Sequence, residues 1–150
     1  TGKSTVGRAL AKRLGVSFMD LDTEIELVAG RSVAQIFERD GEAVFRRIEA
    51  ETLKVAVGQC PGVIALGGGT IHQRKNLEFV KKSTDLVVLL LPFPAIMERL
   101  GVRDAQRPLW SRSESLFLDR NPLLERAGIG VNVEGLSLEE AVSAVQAAIP

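Results

Sequence analysis

The chain begins TGKSTVGRAL, Thr1 to Leu10. Gly2-Lys3-Ser4-Thr5 carries the end of the pattern G-x-x-x-x-G-K-[ST], a turn whose backbone N–H groups wrap a polyphosphate. Such a turn joins a strand to a helix. The helix is legible at once, because Val6, Leu10 and Leu14 recur at helical spacing and Gly15 offers a stop. The strand and the first glycine of the pattern lie outside the sequence, so the chain reads as a fragment whose first strand, expected at the centre of the sheet, precedes Thr1. On that reading the 150 residues alone are expected to fold and catalyse poorly.

Working outward, Val16 to Met19 reads as a short strand ending at Asp20, and Thr23 to Ala29 as a helix broken by Gly30. Phe37 through Val57 reads as mostly helix, interrupted near Asp40-Gly41, with Phe45, Ile48, Thr52, Val55 and Ala56 close to one face. Gly62 to Leu66 is an apolar run that stops at Gly67-Gly68-Gly69, and Asp85 to Leu91 is another that stops at Pro92. Short, fully apolar runs between amphipathic helices are strands of a parallel sheet covered on both faces. Ile129 to Val133, followed by a helix from about Leu138 to Ala148, supplies a last β-α unit. The alternation predicts an α/β domain with a doubly wound parallel sheet, spanning residues 1–150.

Composition narrows the function classes. With 45% hydrophobic and 25% charged residues, the chain has the make-up of one globular domain. Lys plus Arg and Asp plus Glu both total 19, so no net field draws it to nucleic acid or to an anionic membrane. Cys60 is the only cysteine, which excludes an internal disulfide framework, fits a reducing compartment and reads as a buried small hydrophobe. The longest apolar run, Leu86 to Leu91, falls far short of the ~20 residues that cross a bilayer. A cytoplasmic protein is expected.

Several residues have the chemistry of a phosphoryl-transfer site. Lys3, at a helix start beside backbone donors, suits β- and γ-phosphate oxygens, and Ser4 suits Mg²⁺, with Thr5 the weaker alternative. Asp20 and Asp22 end a strand at the edge where open α/β sheets bind ligands; one carboxylate would sit near the metal and one would face a substrate hydroxyl. The competing reading of Asp22 is a helix N-cap. Arg46 and Arg47 point about 100° apart on a helix, so only one can face a given pocket, where its fork would meet a carboxylate; both could equally be surface residues paired with Glu49 or Glu51. Gly67, Gly68 and Gly69 would let backbone amides approach a ligand, or form a plain turn. Residues 101–115 are polar and long enough for a mobile cover carrying Arg107, which could swing onto the transferring phosphoryl group. Arg120 could add a second guanidinium for an anionic substrate. His72 has no metal-ligand spacing around it, and Trp110 and Phe117 lack the basic interleaving of a nucleic-acid site.

The order of these motifs resembles the shikimate kinase family over nearly the whole chain: GKST, Asp20-x-Asp22, Phe45-Arg46-Arg47-Ile48-Glu49, Leu66-Gly67-Gly68-Gly69, Arg107-Pro108-Leu109 and Arg120-x-Pro122-Leu123. The resemblance implies a P-loop NTPase fold with five parallel strands in the complete protein, and transfer of the ATP γ-phosphoryl group to the 3-hydroxyl of shikimate, a step of aromatic amino acid biosynthesis. It implies that Gly2, Lys3, Ser4 and Thr5 meet ATP, that Ser4 and Asp20 serve Mg²⁺, and that Asp22 binds the acceptor hydroxyls and takes the proton. Arg46 and Arg120 match the grip on the shikimate carboxylate, Gly68 and Gly69 backbone contacts to the same substrate beside Gly67, Arg107 the lid arginine, and Arg99 the arginine flanking adenine. The chain departs from the family's usual pattern at Leu124 and Asn132, neither of them in the transfer chemistry, and at Trp110, which could alter how the lid closes.

Shikimate is thus the expected partner of a monomeric enzyme. Two alternatives stand beside it: a related P-loop kinase such as gluconate kinase, since fold does not fix substrate, and a ligand-sensing domain of a larger regulator. The presence of Asp22, Arg46 and Arg120 favours the enzyme.

Overall fold

Three of the described helices start where a side chain caps the backbone. The computed structural model describes residues 2–91 and 126–150, and the chain divides into two compact units, Gly2–Thr84 and Asp85–Pro150.

In the first unit, helix α1 spans Lys3–Leu14 and ends on Gly15, whose left-handed backbone returns its amide to the carbonyls of Ala11 and Lys12. Strand β1, Phe18–Asp20, runs straight into helix α2, Leu21–Ala29. Asp20 is both the last strand residue and the helix cap: Oδ1 accepts from the amides of Asp22 at 3.0 Å and Thr23 at 3.3 Å. The helix therefore begins two residues before the expected Thr23, and the capping role considered for Asp22 belongs to Asp20.

Helix α3 spans Val33–Gln59 and opens on a reciprocal cap in which Ser32 Oγ accepts from the Gln35 amide and Gln35 Oε1 accepts from the Ser32 amide. It starts four residues ahead of the expected Phe37. The expected interruption is there: Gly41 adopts φ 84°, ψ 174°, a backbone that only glycine tolerates easily, and the helix kinks at that point. Beyond the kink the buried face consists of Phe45, Glu49, Thr52, Leu53 and Ala56. Val55, expected on that face, is 55% exposed, and Leu53 is buried in its stead.

Strand β2, Val63–Ala65, pairs in parallel with β1, Phe18 opposite Val63 and Asp20 opposite Ala65. That register brings the glycine turn, which leaves β2 at Gly67, to the same carboxyl edge as Asp20. A single turn of 3₁₀ helix, Thr70–His72, and helix α4, Arg74–Ser83, follow. Sequence periodicity did not indicate α4, whose buried residues include one polar side chain, Asn76, beside Val80. Leu21, Ile25, Ile36 and Leu53 are fully buried in this unit, each worth roughly 1.5–3 kcal/mol of transfer from water; α2 packs chiefly on α3.

In the second unit, strand β3, Val87–Leu90, pairs in parallel with β4, Ile129–Asn132. Asn132 closes its strand by accepting the Glu134 amide at 2.9 Å. Helix α5, Leu138–Ala148, opens on a second reciprocal cap, Ser137 with Glu140, and those hydrogen bonds hold the Glu140 carboxyl below its ordinary pKa. These boundaries lie within a residue or two of the apolar runs. The fold is α/β with parallel strands, as expected. Among the described residues no helix is long and apolar enough to cross a membrane.

Candidate active site

Gly2, with a left-handed backbone (φ 77°), turns the chain into α1 with no side chain capping the helix. The first turn of α1 contains no acidic residue, and Lys3, Ser4 and Thr5 are exposed on it. A helix start without a side-chain cap keeps its amides and positive dipole end available to an anion. Ser4 Oγ donates to Asp20 Oδ2, tying the start of α1 to the end of β1. A hydroxyl and a carboxylate form an oxygen-only donor set, which fits a hard ion such as Mg²⁺ that keeps waters and phosphate oxygens as its other ligands. No cluster of three His, Cys, Asp or Glu that could hold a metal by itself occurs among the described residues.

Asp22 is half-buried on the first turn of α2. Burial pushes its carboxyl pKa up, and the nearby charges of Asp20 and Glu49 push in the same direction, against the lowering effect of Lys3. A Cβ placed on Gly67 would stand 3.0 Å from Asp22 Oδ1, so the carboxylate lies directly against the glycine turn.

Arg46 and Arg47 separate as helical geometry requires. Arg47 is exposed, whereas the Arg46 side chain is 14% exposed and turned inward. Its Nη1 donates to Glu49 Oε1 at 3.0 Å, its Nη2 to Glu42 Oε1 at 3.5 Å, and its guanidinium stacks 5.2 Å from the Phe45 ring centroid. The pairing with Glu49 considered from sequence is real, but it is not a surface pair: Glu49 is 1% exposed. Its other oxygen, Oε2, accepts from Thr70 Oγ1 at 2.9 Å, and Asn76 Nδ2 donates to the Thr70 carbonyl at 3.1 Å. The sequence offers Glu49 only as a surface partner, and does not single out Thr70 or Asn76. The available signal was the placement of Glu49 between Phe45 and Thr52 on an otherwise buried stripe.

The three glycines divide their work. A Cβ on Gly69 would come within 2.7 Å of Arg46 Nη2 and one on Gly67 within 3.0 Å of Asp22, while Gly68 is exposed with nothing within 4 Å. Two of them make room for the protein's own charged side chains. The turn thus holds a carboxylate at one end and a guanidinium at the other.

Other expectations fare differently. Cys60 is half-buried, 3.4 Å from Ser17 Oγ, and so is not the buried small hydrophobe expected. A groove of about 260 Å³ between α2 and α3, lined by Met19, Val28, Ile48 and Val55 among others, includes none of Lys3, Ser4, Asp20, Asp22 or Arg46. Arg99, Arg107, Arg120 and the 101–115 lid lie outside the described residues.

A glycine-lysine turn opening a helix, joined through Ser4 to an aspartate at the edge of parallel strands, defines the class of P-loop phosphotransferases. A family model described as shikimate kinase matches residues 1–149. The chain belongs to the shikimate kinase family. It is 38% identical to the shikimate kinase of Thermobifida fusca (strain YX) over 155 residues, covering 99% of this chain and 89% of that one. It is 41% identical to that of Mycobacterium avium (strain 104) over 133 residues, covering 85% and 74%. Shikimate kinase from Acinetobacter baumannii, solved in complex with shikimate, superposes with a TM-score of 0.86 at 34% identity over 97% of this chain and 84% of that one. The enzyme from Bacteroides thetaiotaomicron superposes with a TM-score of 0.88 at 30% identity, covering 97% and 90%.

Proposed function

We propose that this protein transfers the γ-phosphoryl group of ATP to the 3-hydroxyl of shikimate, and that Lys3, Ser4, Asp20, Asp22 and Arg46 carry the reaction. The observation that supports this best is the meeting of Asp22 and Arg46 at the two ends of one glycine turn. A hydroxy acid has an alcohol and a carboxylate at a fixed separation, and a carboxylate–guanidinium pair packed against one glycine turn suits that pattern.

The substrate's 3-oxygen attacks the γ-phosphorus, the bond to the β–γ bridging oxygen breaks, and ADP leaves. The hydroxyl proton passes to Asp22, whose raised pKa makes it a better proton acceptor than an ordinary carboxylate. Lys3 and the α1 amides stabilise charge developing on the phosphate oxygens. Ser4, backed by Asp20, would hold Mg²⁺, which would supply positive charge to offset that developing on the phosphate oxygens. Arg46 takes the shikimate carboxylate through its fork. The order of family motifs assigns Arg120 to a second arm of that grip, Arg107 to the phosphates and Arg99 to the adenine side, with Gly68 and Gly69 giving backbone contacts to the substrate. A cytoplasmic monomer acting as one domain, with its lid at about 101–115, is the form this function implies.

Asp22→Asn in the complete protein tests the assignment. Turnover should fall at least a hundredfold, the scale of general-base loss, with ATP affinity within about twofold. Unchanged turnover would remove Asp22 from the chemistry.

A further inference from the structure

Glu49 presents a physical problem that only the glycine segment solves. A carboxylate 1% exposed to solvent needs a partner on each oxygen to remain a firm anchor for a cation. Arg46 supplies the partner for Oε1, from within α3. The partner for Oε2 comes from 21 residues away, from Thr70 Oγ1, at the first residue after the triple glycine. Thr70 is itself fully buried, and its carbonyl is fixed by Asn76 Nδ2 from α4. Its Oγ1 also lies 3.2 Å from where a Gly67 Cβ would stand.

We propose that Thr70 is a positioning residue for acid recognition: its hydroxyl fixes the Glu49 carboxylate, which in turn fixes the Arg46 guanidinium over Gly69. The chain Asn76–Thr70–Glu49–Arg46 links α4, the residue after the glycine turn and α3 through hydrogen bonds, the last of them also an ion pair. Thr70 touches no substrate and acts only through Glu49. The inference rests on the proposed role of Arg46 in binding shikimate, and it makes the hydroxyl at position 70 a determinant of affinity for the acid, separate from the handling of ATP. The methyl of Thr70 has no part in this, so valine, which keeps the shape and loses the hydroxyl, is the informative replacement.

Steady-state kinetics on the complete protein test it. Thr70→Val should raise the shikimate KM about tenfold, the scale of one hydrogen bond to a charged group, with kcat and the ATP KM within about twofold. Thr70→Ser, which restores the hydroxyl, should return the shikimate KM to near its original value. In an Arg46→Ala background Thr70→Val should add nothing, because its effect passes through that guanidinium. An unchanged shikimate KM in Thr70→Val, equal damage from valine and serine, or a loss that persists without Arg46 would each overturn the proposal. If Thr70→Val does not fold, Thr70→Ala, which adds no atom to the site, is read by the same criteria. Failure of the unmutated protein to turn over shikimate would overturn the functional reading itself, whereas normal turnover with an indifferent Thr70→Val overturns only this inference.

Discussion

Adding one methyl group at Gly69 should damage acid recognition without touching the nucleotide. Gly69 has φ −101° and ψ −4°, a conformation open to any residue, so alanine there carries no backbone strain. Its Cβ would lie 2.7 Å from Arg46 Nη2 and 2.9 Å from Nη1. To reach an ordinary contact of 3.4 Å the guanidinium must retreat by about 0.7 Å. Arg46 Nη1 is held to Glu49 at 3.0 Å, and a shift of that size away from Glu49 would lengthen the contact to about 3.7 Å, past hydrogen-bond range. Losing the geometry of one charge-assisted pair costs about 1.5–3 kcal/mol, so Gly69→Ala should raise the shikimate KM roughly 10- to 100-fold. Varying shikimate at saturating ATP, with ADP release coupled to an optical readout, measures this directly. The ATP KM should stay within about twofold. Gly68→Ala is the matched control for folding: with nothing within 4 Å of the added methyl, its urea midpoint should not move. A Gly69→Ala protein with an unaltered shikimate KM would refute the placement of Arg46 against the turn.

Asp22 links pH to stability with a defined sign. Its pKa is raised on folding by burial and by Asp20 and Glu49, so the folded state holds the proton more tightly, and the stabilisation present at low pH is lost as pH rises through the folded-state value. Asp22→Asn should therefore melt above the unmutated protein at pH 7, with the gain disappearing toward pH 3; a lower Tm at pH 7 would contradict the sign. Gly41→Ala forces an L side chain into φ 84° and should cost about 1–3 kcal/mol in urea unfolding, even though no atom lies within 4 Å of the new methyl. An unchanged midpoint would show that the α3 kink is not held at that residue. Lys3→Met should lower kcat far more than it raises the shikimate KM, and a full-rate mutant would remove the lysine from phosphate stabilisation.

Much of the scaffold was readable because apolar residues carried it. The runs Val63–Ala65 and Val87–Leu90, the α1 stripe of Val6 and Leu10, and the bounds of α5 all follow from burial of continuous or periodic hydrophobic residues. The Gly41 break was visible as an Asp-Gly pair within a helical pattern. Polar residues that earn their burial through tertiary partners were not readable. Glu49 sits on a stripe that hydrophobicity alone would fill with Ile48 and Val55, and Asn76 hides the inner face of α4. Asp20 shows a second limit: a carboxylate at a strand end can cap a helix and meet Ser4 at once, and spacing does not say which of two aspartates does so. The choice between Arg46 and Arg47, open when the helix is read alone, is decided by Glu49 and Gly69, contacts 3 and 23 residues along the chain from Arg46.

In the proposed function one glycine turn presents a proton acceptor and an acid-binding guanidinium to the same small molecule beside a nucleotide. Phosphorus NMR of the complete protein with ATP and Mg²⁺, offered shikimate and gluconate in parallel, tests it most directly. One new phosphomonoester is expected, on the 3-oxygen of shikimate, with gluconate unchanged. Phosphorylated gluconate and untouched shikimate, or no phosphoryl transfer to either, would contradict it.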